Sequence, residues 1–129
     1  MKSRKLSSQG ISLQFDKFWT WLTGHANCLL RAGTPEVMLL DNDDFHWQLR
    51  QEDEHSFVVQ LCRAKDVVAE MLVFPAEVAY VQVEAGEHED EFLFECVVEN
   101  EHAREVAYHF VLSHDYDGAE HSREEKWTH

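Results

Sequence analysis

The stretch "LQFDKFWTWLTGHANCLLRA", Leu13 to Ala32, decides how the rest of the chain is read. Phe15, Phe18, Trp19, Leu22, Ala26, Leu29 and Leu30 recur at the spacing of one helix face. That pattern predicts a helix over Leu13–Ala32, with Ser12 as N-cap and Gly33 followed by Pro35 as the stop. Gly24 weakens its middle and predicts a kink there. An apolar stripe this aromatic needs a sheet or a second helix to cover it.

After the stripe the period falls to two. "VMLL" (Val37–Leu40) is a short apolar run and "DNDD" (Asp41–Asp44) a turn. In "FHWQLRQ", Phe45, Trp47 and Leu49 alternate with His46, Gln48 and Arg50, the mark of a half-buried strand. "SFVVQLC" repeats the pattern with Phe57, Val59 and Leu61 on one face. "VVAEMLVF" (Val67–Phe74) is apolar on nearly both sides and predicts a central strand. "VAYVQV" (Val78–Val83) and "FLFECVV" (Phe92–Val98) follow, separated by the acidic loop "EAGEHEDE". "NEHAREVAYHFVLSHD" (Asn100–Asp115) fits both a helix and a strand. Its crowding of β-branched and aromatic residues favours the strand. Short strands joined by polar loops predict an antiparallel meander. The expected class is α+β, an N-terminal helix on a mostly antiparallel sheet of roughly five to seven strands. Residues 1–11 read as a flexible basic and polar lead-in, and 12–129 as one acidic domain.

Charge is the strongest global signal. The 129 residues carry 25 acids against 11 bases, a formal −14. Three of the bases lie in the first five residues, so the body from Leu6 onward stands at −17. Such a body repels phosphate backbones and anionic lipid, so neither nucleic acid nor membrane is an expected partner. It attracts basic proteins and cations instead. No apolar run is long enough to suggest a membrane span, and the first residues lack the apolar centre of a signal peptide. The expectation is a soluble, cytoplasmic protein.

Catalytic signatures are absent from the sequence. There is no GxSxG elbow, no HExxH and no glycine-rich phosphate loop. Cys28, Cys62 and Cys96 form no CxxC pair and read as reduced thiols. His102, Glu105 and His109 would face water on a helix and diverge on a strand. "SHDYDGAEHSRE" (Ser113–Glu124) resembles a calcium loop in its acids, its Gly118 and its closing glutamate. Ser113, however, is a weak first ligand, and Glu120 stands where an apolar residue belongs. Asp117-Gly118 reads more simply as a tight turn.

The residues therefore predict a non-enzymatic acidic protein, without a cofactor, that captures or neutralises a basic protein partner. Its expected contact residues are Asp41, Asp43, Asp44, Glu52, Asp53, Glu54, Glu87, Glu89, Asp90 and Glu91. Trp21, off the helical stripe, adds an aromatic anchor of the kind enriched at binding hot spots. The alternative is a divalent-metal protein or metal-dependent enzyme built on His114, Asp115, Asp117 and His121.

Overall fold

The computed structural model describes residues 11–88 and 90–113, with Ile11 described by its backbone alone. The expected lead-in lies outside the described residues apart from Ile11, which opens the first strand. His114, Asp115, Asp117 and His121 also lie outside them, as does Glu89.

The class is α+β: among the described residues, one short α-helix and nine strands in two antiparallel sheets. Strand β1 (Ile11–Leu13) leads into α1 (Phe15–Thr23). A 3-10 turn (Ala26–Cys28) then opens β2 (Leu29–Gly33), followed by β3 (Met38–Leu40), β4 (His46–Gln51), β5 (Phe57–Arg63) and β6 (Asp66–Val73). A second 3-10 turn (Pro75–Glu77) precedes β7 (Tyr80–Ala85), β8 (Phe92–Glu99) and β9 (Arg104–Leu112). The larger sheet has six strands in the order β1-β7-β8-β9-β2-β3, and the smaller has β4-β5-β6. The expectation of one meander is corrected in two respects. The strands divide between two sheets, and the β1–β7 and β9–β2 pairs join segments remote in sequence.

The predicted helix is also corrected. It ends at Thr23, nine residues after Gln14, and the second half of the stretch is strand. Gly24 is the cause. Its N–H donates to Trp21 and His25 N–H to Leu22, so the last turn tightens and closes. Leu29 and Ala32 are both buried although three residues apart, because the β9–β2 register shifts between Val111 and Leu112 and skips Leu30. Gln14, not Ser12, occupies the N-cap, and its side chain makes no capping bond.

The helix sits where both sheets reach it. Phe15, Phe18, Trp19 and Leu22 are buried, as the stripe predicts. Phe18 packs on Phe94 and Phe110 of the larger sheet at 5.0 and 5.3 Å between ring centroids. Trp19 and Phe15 stack on Phe57 of the smaller sheet at 4.6 and 5.8 Å. One core unites all three layers.

Two strands depart from the expected exposure. β6 is an edge strand rather than a central one, leaving Val67, Val68 and Leu72 exposed, while β5 takes the centre. In β9 a bulge between Val106 and Tyr108 turns the alternation over. Val106 thereby lines the outer face beside Val97, and Ala107 packs against the core. Within the Asn100–Asp115 segment the strand reading otherwise holds over Arg104–Leu112. Asn100 closes the preceding turn by accepting the N–H groups of His102 and Ala103.

Candidate functional site

A single row of residues crosses the larger sheet. Glu84 pairs with Leu93, Leu93 with Val111, Val111 with Arg31, and Arg31 with Leu40. The loops that follow Glu84 and Leu40 therefore leave the sheet at the same end. They are two of the acidic connections, Glu84–Glu91 and Asp41–Asp44. Four strand spacings separate β7 from β3, about 19 Å at the usual interstrand distance. That exceeds a Debye length of ~8 Å, so the two loops are largely screened from one another at physiological salt.

The Asp41–Asp44 turn is fixed by its own polar groups. Asn42 Oδ1 accepts the Asp44 N–H at 2.9 Å, and the Asn42 carbonyl accepts the Phe45 N–H at 2.9 Å. Asp41 Oδ1 accepts the Trp47 indole N–H at 3.2 Å, so this carboxylate anchors the buried tryptophan of β4. Asp43 and Asp44 are exposed and make no ion pair among the described residues. Arg63 lies over the Phe45 ring at 5.7 Å and bounds the acidic turn on the side of the smaller sheet.

The Glu84–Glu91 loop closes on itself. Gly86 N–H donates to the Glu91 carbonyl at 2.7 Å, and Glu91 N–H to that of His88 at 3.0 Å. A Cβ on Gly86 would stand 2.7 Å from the Glu91 Cβ, so the closure requires glycine. Glu87 and Asp90 are exposed and Glu91 is half-buried. Glu87 and Glu91 share with Arg31, Leu93 and Val111 a shallow depression of about 300 Å³.

Glu52, Asp53 and Glu54 do not join this group. They form the β4–β5 turn, and β4 runs six residues, about 20 Å, away from the Asp41–Asp44 end. Asp53 serves its own turn: Oδ1 accepts the N–H groups of His55 and Ser56 and the Ser56 hydroxyl. Those donors, the His55 N–H foremost, hold its carboxyl below the ordinary range. Glu52 lies 3.8 Å from Arg50, and Glu54 lies 3.9 Å from His55.

Trp21 packs within the chain. It is half-buried, stacked on His25 at 4.2 Å and set against Phe94 at 5.2 Å. His25 Nδ1–H donates to the Trp21 carbonyl at 2.8 Å. An open depression beside it is lined by Asp16, Lys17 and Thr20.

Sequence reasoning missed the outer face of the larger sheet. Gln82, Glu95, His109, Gly33 and Met38 form a second row there. Burial, reinforced by Glu84, pushes the Glu95 carboxyl up, and burial together with Arg31 pushes His109 down. Both shifts favour neutral side chains. The signal was present in the alternation Leu93, Glu95, Val97, whose strand register needs the fold to be known. Burial also holds the Cys96 thiol far above its ordinary range, so it is no nucleophile at neutral pH.

Among the described residues no group of three His, Cys, Asp or Glu side chains is placed to hold a metal ion. No described helix is long and apolar enough to cross a membrane. The chain matches no family model, no curated protein and no solved structure.

Proposed function

We propose that the protein is a non-catalytic acidic binding module that captures a basic protein partner in the cytoplasm. The observation that carries this reading is the shared placement of the two acidic loops. Asp43 and Asp44 in one, and Glu87 and Asp90 in the other, are exposed at the same end of a rigid sheet. Exposed carboxylates that no cation pairs among the described residues attract one from a partner. The turns that hold them are built from backbone and side-chain hydrogen bonds, so the charges are presented with little ordering left to do on binding. A body at −17 adds long-range attraction and repels nucleic acid and anionic membranes.

Capture from the native host, followed by kinetics with the purified captured protein, tests this. Electrostatic steering requires a basic partner whose association slows by about tenfold or more from low to physiological salt. A partner of neutral or acidic surface, or an association rate indifferent to salt, contradicts it.

A further inference from the structure

Among the described residues the larger sheet ends at β3, which is short at three residues but carries no other device that normally closes a sheet edge. Val37, Met38 and Leu40 are 53%, 50% and 57% exposed. No lysine, proline or bulge interrupts Met38–Leu40. Hydrogen bonding fixes which backbone groups look outward. Thr34 N–H donates to the Val37 carbonyl, and Asp41 N–H to that of Leu30. Bonded and unbonded pairs alternate along an antiparallel ladder, so Ala32 and Leu39 form the bonded pair between these two. Met38 and Leu40 therefore turn their N–H and C=O groups away from β2, toward an edge where no described strand lies. Their side chains stand on the outer face, opposite the buried Leu39.

Charge selects the occupant. Glu36 precedes this edge, and Asp41, Asp43 and Asp44 follow it. A second copy pairing antiparallel through Met38 and Leu40 would centre on Leu39. It would bring Glu36 of one copy against Asn42, between Asp41 and Asp43, of the other. Like charges set across a strand pair oppose such pairing. A basic segment meets the same carboxylates with the opposite sign.

We propose that β3 takes up an extended segment of the basic partner as an added strand, an inference that rests on the capture reading. The added strand satisfies the outward backbone groups of Met38 and Leu40. Its apolar side chains lie beside theirs. Cations about five residues apart, roughly 17 Å in extended chain, reach Glu36 at one end and Asp41–Asp44 at the other.

The probe is a synthetic peptide of alternating valine and threonine with a lysine at each end, added to the isotope-labelled full chain. The amide signals of Met38 and Leu40 are expected to shift and to gain protection from hydrogen exchange. A twin peptide with glutamate ends should bind at least about tenfold more weakly. Leu40→Pro removes a donor that no described strand uses, so binding should be lost with circular dichroism unchanged. If that variant unfolds, Leu40→Lys blocks the edge without touching the backbone. Unmoved Met38 and Leu40 amides at millimolar peptide overturn the proposal, as does equal binding of the two peptides. Self-association abolished by Leu40→Lys would make a second copy the occupant and overturn it as well. A native partner that survives Leu40→Lys but is lost on Asp43→Lys with Asp44→Lys overturns the edge and leaves the capture reading standing.

Discussion

Ala64 has a φ of 55°, the one described non-glycine residue in the left-handed region. It sits in the tight connection between Arg63 and Asp66, where the β5–β6 hairpin reverses. An L-residue there is strained by its Cβ, and glycine is not. Ala64→Gly is expected to raise stability by about 0.5–1 kcal/mol in urea unfolding, and Ala64→Val to lower it. Glu95 and His109 oppose one another in their effect on acid stability. His109 is held below its ordinary 6.5 by burial and Arg31. Below that pH the unfolded chain takes up a proton that the folded chain resists, so His109 lowers stability on acidification. Glu95 is raised above its ordinary 4.5, chiefly by burial. Its ionised form weakens the fold at neutral pH, and that penalty fades as pH falls through the folded value toward the unfolded one. Unfolding measured at neutral pH and near about pH 5 separates them. His109→Gln should remove a loss of stability on acidification, whereas Glu95→Gln should stabilise at neutral pH and remove a gain.

Among the elements, α1 joins the two sheets, through Phe18 on one side and Trp19 on the other. Phe18 is fully buried. Phe18→Ala should therefore destabilise by about 3–5 kcal/mol, since truncation of a buried aromatic leaves a cavity. A loss below about 1 kcal/mol, an ordinary substitution effect, would contradict the packing described. The Phe15–Leu22 stripe was legible because four aromatic or apolar residues at helical spacing admit one reading. Its false extension to Ala32 arose because Leu29 and Leu30 satisfy helical spacing by coincidence, while Gly24 ends the helix. The Trp47 and Phe57 strands were legible from alternation. The placement of β6 was not, because apolar residues on both faces mark a central strand only when something covers them. The acidic turns were plain in sequence as turns. Their division between two ends of the molecule was not, since it depends on the β9–β2 pairing, which joins residues far apart along the chain.

At the scale of the whole molecule, the capture proposed above draws attraction from the −17 body and direction from the fold. Asp43, Asp44, Glu87 and Asp90 share one end, whereas Glu52 and Glu54 stand at another beside Arg50 and His55. Equal changes in charge at the two places should therefore have unequal effects, which global charge alone would not produce. The deciding measurement is the association rate of the captured basic partner at about 0.15 M salt with two matched variants. One carries Asp43→Lys with Asp44→Lys, and the other Glu52→Lys with Glu54→Lys. The first pair is expected to slow association by at least about tenfold, and the second by less than about threefold. Equal slowing by the two pairs, or none by the first, would contradict capture at the Asp41–Asp44 end.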